Sequence, residues 1–242
     1  MKKLLLASAL TAIIAGNAAA NENTFYLRAD AGASMLPKQN LTLPKGKYAE
    51  TINGRNYQLE REDAQKFKLK GQTHFIGSLG AGYYVLDNVR TELVFTSRFS
   101  AKYKATNINS GPDYDWSGIT QNHNLKLTIN SLMFKGLVDV YDTGMGKVFA
   151  GAGAGVTQLS GKLSESYSET YFGTKYTTTL SSKLKKQNLF SYLGTVGVGF
   201  NVSEGVILDL AYSYNGVDKY KAKGLKTNFS AHDLTAGVRV KL

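Results

Sequence analysis

The sequence predicts an all-β fold: an eight-stranded antiparallel up-and-down transmembrane β-barrel with short periplasmic turns and long extracellular loops. Three observations carry this expectation. Apolar residues recur with a period of two in eight segments, ionisable residues occupy the opposite face of those segments, and the connections alternate between short and long. Composition narrows the choice further. A chain of 242 residues with 43% hydrophobic content, 11% aromatics, 25 glycines and 3 prolines is neither disordered nor collagenous. No run of about eighteen apolar residues follows residue 20, so a helical membrane bundle is excluded. The absence of cysteine removes a disulfide scaffold, a thiolate metal site and a lipidated cysteine anchor.

The N-terminus has the form of an export signal. Lys2 and Lys3 precede an apolar stretch from Leu4 to Ile14, and Ala18, Ala19 and Ala20 supply a small-residue cleavage site. The stretch is too short to cross a bilayer, which takes roughly twenty apolar residues. Residues 1–20 are therefore read as a signal peptide cleaved before Asn21, and residues 21–242 as the barrel.

The strands follow in order. Phe25, Leu27, Ala29, Ala31, Ala33 and Met35 alternate with polar or tiny residues, which marks the first. Phe75 to Val85 and Val89 to Phe99, joined at Asp87 and Asn88, form a hairpin. A fourth strand begins near Leu125 and ends as Leu132, Phe134, Val138 and Val140; its apolar parity changes between Ile129 and Leu132, which suggests a bulge or a later strand start. After a turn from Asp142 to Gly146, Val148 to Val156 sets Ala150, Ala152 and Ala154 against Gly151, Gly153 and Gly155. Such glycines leave room inside a narrow barrel for long side chains from neighbouring strands. Phe190 to Phe200, Leu208 to Tyr214 and Leu234 to Leu242 complete the eight, with a short turn at Ser203 to Gly205. The connections 36–71, 100–124, 160–187 and 215–231 are long and polar.

Soluble eight-stranded barrels alternate too, with the apolar face inward, so periodicity alone does not choose. Two features do. The presumed inner face carries Arg28, Asp30, Arg90, Glu92, Lys135, Asp139, Asp209, Arg239 and Lys241, charges that would ruin a soluble core but can pair as a network in a polar lumen. Phe25, Tyr83, Phe99, Phe190, Tyr212 and Tyr214 lie near strand ends on the outer face, where interfacial aromatic girdles belong. The lipid bilayer of the bacterial outer membrane is thus an expected partner, with the loops exposed at the cell surface.

The formal net charge of +11 resides almost wholly in the long connections. Their lysines interleave with tyrosines, which supply rigid amphipathic contact area at low entropy cost. The candidate partner-binding residues are Lys47, Tyr57, Lys66, Lys70, Tyr171, Lys175, Lys185, Lys219, Tyr220, Lys221 and Lys223. Alternatively the barrel is structural, its lysines neutralising anionic lipid, or it is a narrow ion pore with no specific partner. Nucleic acid is excluded because the charge faces the wrong compartment.

Catalysis has little material. His74 and His232 sit at strand starts, where a rim hydrogen bond is the ordinary role, and His123 has Asp113, Asp115 and Ser117 upstream, a weak hydrolytic hint. No enzyme activity is expected. Metal sites and cofactors are likewise not expected: Asp113 and Asp115 lack the rest of a calcium loop, and the strand glycines have no following helix to cradle a phosphate.

The segments Tyr26 to Gly32, Leu79 to Tyr84, Phe149 to Gly155 and Leu208 to Tyr214 together resemble the small eight-stranded outer-membrane barrels of the opacity-protein and surface-antigen superfamily, and among them the rickettsial surface adhesins. The similarity covers the mature barrel, while the long loops carry no matching motif. It implies a surface protein that attaches the bacterium to epithelial cell-surface proteins or to matrix or serum glycoproteins such as vitronectin; a monomer is expected. One departure is the last residue, Leu242, where such proteins usually end on the phenylalanine of the assembly signal; this bears on assembly efficiency rather than topology.

Overall fold

The computed structural model describes residues 24–43, 46–52, 55–61, 65–109, 117–142, 144, 146–171, 174–222 and 225–242, with side chains described chiefly in the barrel wall and its turns. The proposed signal peptide lies outside the described residues. In chain order the strands are β1 (Phe25–Met35), β2 (Gln39–Leu43), β3 (Gly46–Ile52), β4 (Arg55–Arg61), β5 (Gln65–Gly71), β6 (Thr73–Leu86), β7 (Val89–Asn109), β8 (Ser117–Asp142), β9 (Gly146–Tyr171), β10 (Thr174–Ser203), β11 (Val206–Ala222) and β12 (Leu225–Lys241). Eight of them form the wall. β1 pairs antiparallel with β6 on one side and with β12 on the other, from Tyr26 opposite Lys241 to Met35 opposite His232, and β6 to β12 follow in order round the ring. Closure satisfies the peptide groups that an open edge would leave bare in hydrocarbon.

The apolar face of the wall points outwards. Leu210 is 50% exposed while its neighbour Asp209 is 2% exposed, and the same contrast separates Leu93 from Glu92. Short turns close the N- and C-terminal end. Gly144 and Gly205 both adopt φ near 80°, a left-handed conformation that favours glycine, and Asp142 Oδ1 accepts the Gly144 N–H at 2.8 Å. Inside, Gly82 lies beneath Tyr26 and Gly197 beside Phe149; a methyl group at either position would collide with the ring.

The long connections are not loops over most of their length. β7 and β8 stay paired out to Asn109 opposite Ile119, β9 and β10 out to Tyr171 opposite Thr174, and β11 and β12 out to Ala222 opposite Leu225. Within 36–71, β2 pairs with β5, which touches β7 at Lys70 opposite Lys104, and β3 pairs with β4 in a separate two-stranded sheet. Pro37 falls between β1 and β2, where the missing N–H interrupts the ladder.

Above the membrane the wall turns inside out. Leu36, Ala101, Tyr103, Leu125, Leu127, Ile129, Leu159, Phe229 and Ala231 form a buried apolar cluster in the lumen, with Leu189 and Val217 packed against it. On the outside at the same height are exposed Lys102, Lys126, Thr128 and Lys162. This corrects the bulge or late start expected between Ile129 and Leu132. In β8 every odd residue from Leu125 to Asp139 keeps facing inwards, and the β8–β9 pairing is unbroken from Thr120 to Asp139. The register shift belongs to β7, between Arg98 and Ala101. What changes at Ile129 is the solvent outside: below it lipid accepts Leu132 and Phe134, above it water does not, so the leucines move to the lumen.

Burying a leucine stabilises by about 2 kcal/mol relative to leaving it in water. Leu127→Ala is therefore expected to weaken the extramembrane wall by roughly 2–5 kcal/mol. Hydrogen exchange of the refolded barrel should show protection lost in β7 and β8 above Ile129 and kept below it; unchanged protection above Ile129 would contradict the apolar plug.

Candidate functional site

The lumen below the plug is filled by ion pairs. Arg28 sits at the centre: its Nη1 donates to both Glu92 oxygens at 2.6 Å, while Nε and Nη2 donate to Asp30 at 3.0 and 2.7 Å. Tyr26 donates its hydroxyl to Glu92 at 2.7 Å. Arg90 pairs with Asp139, lies 3.7 Å from Glu92, and stacks its guanidinium 4.5 Å from the centre of the Phe149 ring. Arg239 grips Asp209 through two donors at 2.6 and 2.8 Å and gives a third to Tyr84 at 2.6 Å. Lys241 stands 5.6 Å over the Tyr84 ring, and Lys135 lines a cavity with Arg28, Asp30 and Asp233. Forked guanidinium-to-carboxylate pairs satisfy several buried lone pairs at once, which a charge held at full burial requires.

A second layer lies between this network and the plug. Arg98 bonds Asp233 at 2.5 Å and Ser34 at 3.2 Å, and Asn215 donates to the same carboxylate oxygen of Asp233 at 2.7 Å. Ser131, Thr157 and Ser191 continue as a hydroxyl chain with steps of 2.8 and 2.9 Å. Two cavities in this interior measure about 30 and 10 Å³, the first large enough for one water molecule. The apolar cluster lies above them.

The outer ends of the wall carry the remaining candidates. Lys66 faces Thr42, Thr42 faces Lys226 and Lys226 faces Lys221, so β5 and β11 meet in one row across β2 and β12. Tyr171 and Lys175 share the β9–β10 tip, Lys219 and Tyr220 lie towards the end of β11, and Lys185 is exposed at the β10 register shift between Leu184 and Gln187. Lys47 and Tyr57 belong to the separate β3–β4 sheet, where they face Glu60 and Glu50. The side chains of Lys47, Tyr57, Lys66, Lys70, Tyr171, Lys175, Lys219, Tyr220 and Lys221, and the whole of Lys223, lie outside the described residues. So do Asp113, Asp115 and the His123 side chain. His74 and His232 have rim bonds: His74 Nε2 accepts the Lys102 backbone N–H at 3.1 Å, partial burial holding its pKa below the ordinary value, and His232 Nδ1 bonds the Tyr212 hydroxyl at 2.6 Å.

No family model matches the chain. Whole relatives do. The chain is 32% identical to a candidate adhesin of Rickettsia bellii, with 99% of each protein covered, and 32% identical over the same shares to candidate adhesins of Rickettsia felis and Rickettsia akari. The chain belongs to this family of rickettsial candidate adhesins. Solved structures that it resembles include Neisserial surface protein A, at 20% identity and a TM-score of 0.44 over 90% of this chain and 97% of that one. Another is OprG from Pseudomonas aeruginosa, at 13% identity and a TM-score of 0.45 over 92% and 98%.

Several lumen residues of this barrel lie outside the charge network expected from the sequence: Arg98, Asp233, Tyr26 and Tyr84. Strand parity could have found them, because Arg98 shares the inward phase of Arg90 and Glu92, and Asp233 that of Arg239.

Removing one partner of a fully buried ion pair costs about 3–5 kcal/mol, because the other charge is stranded. Arg239→Leu is accordingly expected to lower the unfolding free energy in detergent by that much. The double change Arg239→Leu with Asp209→Leu should recover most of the loss, and a double variant no more stable than the single one would refute the pairing.

Proposed function

We propose that the chain is an outer-membrane adhesin that captures a host cell-surface, matrix or serum protein through its basic, tyrosine-rich extracellular segments. One observation supports this above the rest: the wall continues beyond the membrane as paired strands, apolar within and lysine-bearing without. Such a pedestal is stiff, so the tips it carries lose little freedom on binding, and the ordering cost of the contact is small. The proposed contact residues are Lys47, Tyr57, Lys66, Lys70, Tyr171, Lys175, Lys185, Lys219, Tyr220, Lys221 and Lys223, with lysines steering an acidic partner and tyrosines supplying contact area. Membership of a family of candidate adhesins agrees with it. In this reading residues 1–20 direct export and are removed before Asn21, the mature barrel acts as a monomer, and it binds without catalysing.

Replacing Lys219, Lys221 and Lys223 by glutamate is expected to weaken capture of host surface proteins, vitronectin among the probes, and to flatten its dependence on salt. Capture unchanged at low and at high salt rejects the reading. A narrow ion pore is the second possibility, favoured by the charged lumen and opposed by the apolar plug. Planar-bilayer recordings of the refolded barrel should be silent; conductance steps that shift on Asp209→Asn or Arg239→Gln would favour the pore.

A further inference from the structure

Four exposed lysines stand in a single cross-strand row. Lys102 of β7 faces Lys126 of β8, Lys126 faces Lys162 of β9, and Lys162 faces Lys183 of β10. All four side chains are on the outer wall, because Ala101, Tyr103, Leu125, Leu127 and Leu159 take the inside. None of the four is among the residues proposed above for host capture.

Residues directly opposite in an antiparallel pair hold their Cβ atoms about 5 Å apart, and like charges placed so repel. The neighbouring rows bring no relief. On one side lie Lys104, Asn124, Ser164 and Ser181, and on the other Thr128 and Ser160 beside the β10 shift that holds Lys185 and Lys186. Among the described side chains no carboxylate occupies either row, so these rows supply the four ammonium groups with no counter-charge.

Height and direction select its source. Lys102 is three residues beyond the lipid-facing Phe99, and Lys162 six beyond the lipid-facing Val156. At about 3.3 Å per residue and a strand tilt near 40°, the row climbs from about 8 to about 15 Å above the apolar belt. It points sideways, along the membrane plane. A macromolecule arriving from solution meets the strand tips first, whereas an outer-leaflet lipid meets the flank. We infer that Lys102, Lys126, Lys162 and Lys183 form a binding site for a multiply phosphorylated glycolipid of the outer leaflet, whose sugar-borne phosphates pair with the ammonium groups. The bound lipid turns a self-repelling row into a stabilising one and fixes the β7–β10 flank as the side on which it packs.

The test uses the full chain refolded into phosphatidylcholine vesicles with and without bisphosphorylated lipid A. One variant carries Lys102→Gln, Lys126→Gln, Lys162→Gln and Lys183→Gln, and another carries arginine at the same four positions. The melting temperature is followed by heat-modifiable gel migration, and lipid A retention after a detergent wash is measured separately. In phosphatidylcholine alone the glutamine variant should melt above the natural chain, since repulsion is gone. With lipid A the order should reverse, the arginine variant should behave as the natural chain, and salt should shrink the gain. Lipid A retention by the glutamine variant should fall at least about tenfold. A glutamine variant that melts no higher in phosphatidylcholine, or that gains as much from lipid A, overturns the proposal. So does heparin binding that requires the four lysines when the lipid A gain does not, since the row would then serve a sulfated glycan.

Discussion

A strand that crosses a bilayer must give every peptide group a partner, and it can show hydrocarbon to its surroundings only as far as the surroundings are hydrocarbon. The first demand closes β1 onto β12. The second sets everything else in this molecule, because the strands are far longer than the bilayer is thick: β10 runs for 30 residues, whereas about ten suffice to cross. One continuous wall therefore meets two solvents. In lipid it carries Leu132, Phe134, Leu208 and Leu210 outside and charges within; in water it carries lysines outside and leucines within. Bulges in β7, β10 and β11 mark the region where the two halves join.

The lumen follows from the same constraint. Below the surface, inward positions cannot hold a large apolar core as well as an apolar exterior without losing the contrast that sets which way the wall faces. Charged residues fill the space instead, and arginine dominates because its fork satisfies two carboxylate oxygens at once. Arg28 with Glu92 and Arg239 with Asp209 each bridge different strands in this way, Arg90 reaches Asp139 through a single donor, and Phe149 or Tyr26 supplies a ring where a further acid is missing. The result is a pillar of paired charges capped by the leucine and aromatic cluster. Mechanically this makes the barrel a stiff base for whatever its outer ends contact.

The membrane half was legible in the sequence because lipid enforces a clean alternation. Parity placed Leu27, Leu79, Val198 and Leu210 on one face and Arg28 and Asp209 on the other, and glycine spacing anticipated the crowding around Phe149. The extramembrane half was harder to read. In 100–124 and 160–187 apolar residues are sparse and the alternation is inverted, so the stretches resemble polar loops although their described parts pair as strands. Leu125, Leu127 and Ile129 looked like a register fault for the same reason: their phase never changed, only the side on which burial was available. The lysine row was invisible for another cause. It is a property of pairing between β7, β8, β9 and β10, and the distance between Lys102 and Lys183 along the chain says nothing of their adjacency across the ladder.

The inversion of the wall is open to direct measurement, and the absence of native cysteine makes single-cysteine labelling clean. Spin labels placed one at a time along β8 at positions 126, 127, 128, 132, 133 and 134 of the refolded barrel, in lipid vesicles, report collisions with oxygen in the hydrocarbon and with a nickel chelate in water. Labels at 132 and 134 should collide with oxygen, those at 126 and 128 with nickel, and those at 127 and 133 with neither. Oxygen access at 127 or 133, with 132 and 134 shielded, would mean that the wall faces the other way.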